Sequence, residues 1–230
     1  MEPSHTVVIT GAGSGLGESL ARKYSAQGSH ICLLGRKKDR LQRTANQLFD
    51  SFSIYEVDVS KKQDVERVVQ EIVAARGSID LWINNAGTGS FDLAENLSEE
   101  DVHIMIDSNL KGTIFCTQEV LKPMKKSNQG CIVNIISTAG KVGKVNESVY
   151  CASKFGVRGF TESLHLELKD TPLQVLGVYM GGMRTEFWDG IFSEERTQGL
   201  MDPDDIADII IENVKPRKRL VVSEVVILNS

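Results

Sequence analysis

The chain alternates short apolar runs with longer segments in which apolar positions recur at helical spacing. The runs at 6–10, 30–34, 53–57, 81–84, 131–136, 174–178 and 220–228 read as strands. Most are continuously apolar, as strands covered on both faces must be. Between them, 15–27, 37–49, 61–75, 98–126, 147–169 and a shorter stretch at 203–213 carry the helical period. Ser60 before a charged turn and Ser98 three residues ahead of Asp101 act as helix-start signals. Regular β and α alternation predicts an α/β fold with a doubly wound parallel sheet, whose ligands gather at the carboxyl ends of the strands. No repeat, low-complexity tract or linker interrupts the pattern, so 1–230 reads as a single domain with a short substrate lid near 186–202.

Composition narrows the class. The formal charge of −5 comes from interleaved acids and bases, with no basic stripe for a phosphate backbone, so nucleic acid is not an expected partner. No run reaches membrane-spanning length, and residues 1–5 carry no leader pattern, so a cytoplasmic protein away from membranes is expected. Cys32, Cys116, Cys131 and Cys151 are scattered and read as reduced thiols. The sequons at Asn96 and Asn146 are chance matches in such a protein. His5, His30, His103 and His165 fall into no ligand spacing, so no metal is expected. Gly140-Lys141 is followed by Val142, which rules out a Walker loop, and no G-x-S-x-G elbow is present.

The first strand runs into Thr10-Gly11-Ala12-Gly13-Ser14-Gly15-Leu16-Gly17 and then a helix. Glycines there let a pyrophosphate approach main-chain N–H groups at the positive end of the helix dipole. The spacing is G-x-x-x-G-x-G. About 20 residues beyond such a turn, a carboxylate receives the ribose hydroxyls of NAD, whereas an arginine accommodates a 2′-phosphate. Here the position falls on Gly35 and Arg36. Arg36, Lys37 and Lys38 would also suit a solvated helix start. The guanidinium's fit to phosphate predicts NADP(H) over NAD(H).

Tyr150 and Lys154 stand four apart, on one helix face, and a neighbouring cation favours the phenolate. Ser137 closes the preceding strand thirteen residues earlier. With the glycine turn at 10–17, Asn84-Asn85-Ala86-Gly87 and Asn109, these residues fall in an order and spacing that resemble the short-chain dehydrogenases/reductases over essentially the whole chain. The resemblance implies a Rossmann fold with strand order 3-2-1-4-5-6-7, and an oxidoreductase moving a hydride between a nicotinamide and a small carbonyl or alcohol substrate. It implies Tyr150 as general acid/base, Lys154 lowering its pKa and holding the nicotinamide ribose, and Ser137 on the substrate carbonyl. Asn109 would distort its helix and hold a water in a proton relay. Asp58 would touch the adenine; Gly11, Ser14, Gly15, Leu16 and Gly17 would cradle the phosphates; Asn85, Ala86 and Gly87 would form a cofactor wall. Thr185 resembles the residue that binds the carboxamide. One departure is Met180-Gly181-Gly182 where the family has Pro-Gly, which predicts a looser floor beside Gly181.

Two rivals share the fold: a non-catalytic NADP(H)-binding sensor or scaffold, and an epimerase or dehydratase of the extended branch. Retention of Asn109, Ser137, Tyr150 and Lys154 opposes the first. Only 45 residues after Thr185 oppose the second. Substrate is expected against 139–146, the stretch after Gly87 and 186–201. Phe187, Trp188, Ile191 and Phe192 would form an apolar lid or a plain buried turn. The lid's brevity points to an open pocket and a small or variable substrate. Lys141 and Lys144 read as solvated loop charges or as a lure for an anionic substrate. Phe155, Val157, Phe160, Leu164, Leu166 and Leu168 offer more apolar surface than one sheet face needs, which predicts a homodimer or homotetramer.

Overall fold

The computed structural model describes residues 5–49, 51–191, 193–218 and 220–229. Residues 1–4, part of the stretch read for a leader, and Phe192 of the expected lid lie outside them. The strands are β1 (Thr6–Thr10), β2 (His30–Gly35), β3 (Phe52–Glu56), β4 (Leu81–Asn84), β5 (Cys131–Ile135), β6 (Gln174–Met180) and β7 (Glu224–Ile227). They form one parallel sheet in the order β3-β2-β1-β4-β5-β6-β7. Strand order reverses between β1 and β4, which opens a crevice at their carboxyl ends.

The helices are α1 (Gly15–Ala26), α2 (Lys38–Ala45), α3 (Lys62–Arg76), α4 (Glu99–Met105), α5 (Gly112–Ser127), α6 (Ser148–Leu168), α7 (Glu194–Thr197) and α8 (Pro203–Val214). Side chains alternate across each strand and so feed two cores. Ile9, Leu33 and Ile83 pack with Leu20, Ile206 and Ile210 of α1 and α8. Val8, Leu34 and Trp82 pack on the other face with Val68, Val120 and Leu164 of α3, α5 and α6.

A buried polar chain crosses the second core. The Trp82 indole donates to Asn84 Oδ1 at 2.7 Å; Asn84 Nδ2 donates to Thr117 at 3.1 Å and to Asn134 Oδ1 at 2.8 Å; Asn134 Nδ2 donates to Thr161 at 2.8 Å. Leaving one such group unpaired costs about 1–3 kcal/mol. The chain therefore fixes α6 in register with β4 and β5.

Several boundaries differ from the sequence reading for local reasons. Ser98 caps α4 as expected, accepting from Asp101 N at 3.1 Å while Asp101 accepts from Ser98 N. Ser60 does not cap α3. It donates to Asp58 at 2.7 Å, and Lys61 holds the cap position. The helix expected at 37–49 ends at Ala45, because the chain then turns and leaves Phe49 exposed. The last strand is four residues long, with Leu220 and Val221 exposed ahead of it. The single helix expected over 98–126 is divided by a π-helical stretch, Ile106–Lys111.

Strand β6 continues to Met180, which pairs with Ile227, and Gly181 N donates to Ile227 O at 3.2 Å. The strand is therefore paired up to the residue before Gly181.

Candidate active site

The crevice is a groove of about 410 Å³ at the carboxyl ends of β1, β2, β4, β5 and β6. Its phosphate end is built largely from main chain. Gly11 has φ 65°, and a Cβ there would come within 2.9 Å of Ala86 Cα, so the turn lies directly on the 85–86 segment. Gly15 has φ 53° and sits under Thr185, whose Cγ2 would be 2.9 Å from an added Cβ. Thr10 fastens these parts: its hydroxyl donates to Ile83 O and accepts from Asn85 N and Ala86 N, each at 3.0 Å. Asn85 returns the tie by donating to Thr10 O at 3.0 Å and Gly11 O at 3.2 Å.

At the end of β2 the groove meets Arg36 and Lys37, with Arg40 of α2 beside them. Gly13 makes room for Arg40, whose Cβ lies 2.9 Å from where a Gly13 Cβ would stand. None of the three side chains pairs with an acid among the described residues. In a chain with a net negative charge, three unpaired cations around glycines make an anion site.

The opposite end holds the chemistry. The Tyr150 phenol and the Ser137 hydroxyl line the groove together. Ser137, two residues past β5, has φ 119° and ψ 154°, a region almost reserved for glycine, and its Oγ accepts from Ala139 N at 3.2 Å. Lys154, one turn along α6, donates to Ile135 O at 3.0 Å, and its Nζ lies 5.7 Å from the centre of the Tyr150 ring.

Burial governs the protonation of this pair. It pushes the phenol above its ordinary range; the Ser137 hydroxyl opposes the shift and nearby Glu147 adds to it. Burial pushes Lys154 down to about 8. Burial is the larger influence on the phenol, and the Lys154 ammonium points to a main-chain carbonyl.

Asn109 lies in the π-helical stretch and does not line the groove. Its amide donates to Thr88 O at 2.9 Å and Ser153 Oγ at 3.0 Å and accepts from Thr88 N at 2.8 Å. Ser153 in turn donates to Tyr150 O at 2.7 Å. The distortion expected at Asn109 is therefore present, and its amide links the loop after β4 to the turn that carries the phenol.

Gly11, Ser14, Gly15, Leu16, Arg36, Asn85, Ala86, Gly87, Ser137, Tyr150, Lys154, Gly181 and Thr185 all line the groove. Gly17 and Asp58 do not. A Cβ on Gly17 would lie 2.3 Å from Gly11 O, so this glycine serves the packing of α1 on the turn. Asp58 is occupied by Ser60, from its N at 3.1 Å and its hydroxyl at 2.7 Å. Lys144 lines the groove, but Lys141 does not: it is paired with Glu224 at 3.0 Å and sits 4.2 Å above the Tyr179 ring.

The sequence reading missed Arg40, Thr10, Glu147 and Phe91. Phe91 packs against Tyr150 with ring centres 5.4 Å apart, although no spacing signal in its polar loop marks it. Among the described residues, no group of three or more His, Cys, Asp or Glu could hold a metal, and no helix is long and apolar enough to cross a membrane.

A glycine-floored crevice at the switch point of a parallel sheet, with unpaired cations at one end and a phenol–hydroxyl pair at the other, defines a dinucleotide-binding α/β oxidoreductase site. The family model for short chain dehydrogenase matches residues 5–196, and the chain belongs to the short-chain dehydrogenase/reductase family. It is 32% identical to sepiapterin reductase of Chlorobaculum tepidum, over 97% of this chain and 95% of that one. Among solved structures, the closed form of serine dehydrogenase complexed with NADP+ superposes with a TM-score of 0.90 at 31% identity, covering 96% of this chain and 93% of that chain. Alcohol dehydrogenase from the archaeon Thermococcus sibiricus, complexed with 5-hydroxy-NADP, gives 0.89 at 27% identity, covering 97% and 95%. The protein is a nicotinamide-dependent oxidoreductase of this family.

Proposed function

We propose that the protein is an NADP(H)-dependent reductase of small carbonyl compounds, with Tyr150 as the general acid. The observation that carries this reading is that Tyr150, Ser137 and Lys154 meet at one end of the groove. A bound nicotinamide supplies or accepts the hydride. Gly11, Ser14, Gly15 and Leu16 fit a pyrophosphate, Ala86 and Gly87 a ribose wall, and Thr185 and Gly181 the nicotinamide end.

A carbonyl oxygen between the phenol and the Ser137 hydroxyl receives two hydrogen bonds that strengthen as negative charge develops on it. Tyr150 then gives that oxygen its proton. Burial keeps the phenol protonated at neutral pH, which is the state that reduction needs. Lys154 is placed to hold ribose hydroxyls and to stabilise the phenolate left behind. Asn109 positions the phenol through Ser153.

The preference for NADP(H) rests on Arg36, Lys37 and Arg40, which together supply bidentate and point-charge partners for a 2′-phosphate. Asp58 is left out of the proposed site.

A homodimer through α5 and α6 is proposed on a smaller surface than the sequence gave reason to expect. Val157, Leu164 and Leu168 are buried in the chain's own core, and Phe160 packs against it, whereas Phe155 and Leu166 remain exposed. Light scattering at micromolar concentration tests the assembly, and a monomeric mass refutes it.

Purified protein incubated with NADPH or NADH and a panel of aldehydes and ketones tests the function. Net oxidation of NADPH by wild type, lost in Tyr150→Phe with cofactor affinity retained, is the expected result. Tight cofactor binding without turnover of any carbonyl would overturn it.

A further inference from the structure

We propose that the reacting end of the groove selects carbonyl compounds whose C=O is attached to a flat aromatic or conjugated ring, and that Phe187 and Trp188, backed by Phe91, make the selection. The inference rests on the reading of Tyr150 as proton donor, and deepens it.

Three rings from two distant segments meet around Tyr150. Phe91 comes from the loop after β4, and Phe187 and Trp188 from the 3-10 turn Glu186–Trp188 after β6. Phe91 stands edge-on to Tyr150 at 5.4 Å and stacks on Trp188 at 5.5 Å with 26° between planes. Phe187 lies 6.1 Å from both Tyr150 and Phe91.

This wall is held in place. The Trp188 indole donates to Met183 O at 2.8 Å, and Thr185 Oγ1 accepts from Phe187 N at 3.4 Å. The start of the segment is tied to its end by Arg184 N donating to Met201 O at 2.9 Å. Gly89 leaves the space the rings fill, since a Cβ there would come within 2.6 Å of Phe91 and 2.9 Å of Phe187.

The cations at this end are Lys144, which draws the Glu147 carboxyl down against the larger upward push of burial, and Lys154, whose buried ammonium donates to Ile135 O at 3.0 Å. A charged, hydrated substrate would lose water against the rings. A neutral substrate with a flat ring, its oxygen between Tyr150 and Ser137, gains edge-to-face and stacked contacts with Phe187 and Trp188, which line the groove.

Benzaldehyde and cyclohexanecarbaldehyde test this, because they share a carbon skeleton and differ in the flat ring. Steady-state kcat/KM with NADPH is measured for wild type, Phe91→Leu, Trp188→Leu and Tyr150→Phe, with NADPH fluorescence titration of each variant as the check on folding. Phe91→Leu and Trp188→Leu should each lower kcat/KM for benzaldehyde by about tenfold and change it for cyclohexanecarbaldehyde by no more than about twofold. Equal losses on both aldehydes, no loss on benzaldehyde, or a wild type that reduces small aliphatic carbonyls but not benzaldehyde would overturn the inference. Tyr150→Phe should abolish turnover of both aldehydes. If it does while the ring selectivity fails, only the substrate class falls; if it does not, the role of the phenol falls as well.

Discussion

The two ends of the groove are made of different material. The phosphate end is main chain laid bare by glycine: Gly11, Gly13 and Gly15 each face a neighbour that a methyl group would strike. The reacting end is side chains, gathered from the ends of β4, β5 and β6 and from the first turn of α6. A site built from missing side chains tolerates little variation and recognises what all its ligands share. A site built from rings and hydroxyls on separate loops can be changed one residue at a time, and there the distinction between substrates resides.

The sharpest test of this contrast is Tyr150→Phe. It should lower kcat/KM for carbonyl reduction by about a thousandfold, within the range for loss of a general acid, while NADPH affinity measured by fluorescence stays nearly constant. Next in size, Arg36→Asp should raise Kd for NADPH by about 10–100-fold, the scale of losing a charged hydrogen bond, and leave NADH binding almost unchanged. An unchanged NADPH affinity would remove the basis for the NADP(H) preference.

Stability separates the two ends in a third way. Lys154 is buried with its pKa pushed down to about 8, so below that pH its charge works against folding. Lys154→Met should therefore stabilise the cofactor-free protein by about 3 kcal/mol at pH 7, while abolishing turnover. The gain should shrink as pH rises from about 8 through the unfolded lysine's ~10.4, above which both states are neutral. Urea melts at pH 7 and pH 10 read the difference; a destabilised variant at pH 7 would contradict it.

The smallest effect belongs to Glu147. Its charge helps hold the Tyr150 phenol up, so Glu147→Gln should move the basic limb of the pH profile to lower pH. A shift upward would mean that the carboxyl does not act on the phenol.

The same contrast explains what could be read in advance. The sheet was legible because its strands are continuous apolar runs, and the phosphate turn because glycines at fixed offsets have few other uses. Tyr150, Lys154 and Ser137 were legible as a pattern, and they do meet at one end of the groove. Their charge states were not, because burial is a property of the assembled fold. Phe91 sits in Thr88-Gly89-Ser90-Phe91, where one aromatic in a polar loop signals nothing until Trp188 arrives from nearly a hundred residues away. Arg40 is masked by α2, where a basic residue looks like any solvated helix charge. Asp58 differs again: its position suited a ligand, but it lies outside the groove lining and its Oδ1 accepts from Ser60.

Ile106–Lys111 winds wider than an α-helix, and so stores one residue more than regular winding over the same length needs. Regularity and activity are therefore opposed at this spot. Deleting Ser108 would let the stretch tighten into ordinary helix over the same length, and would remove the bulge that sets the direction of the Asn109 side chain. The backbone would become more ideal, yet the Asn109 amide would swing off Thr88 and Ser153 and release the phenol's turn. Shortening the chain here should thus leave helix content intact in circular dichroism while turnover collapses.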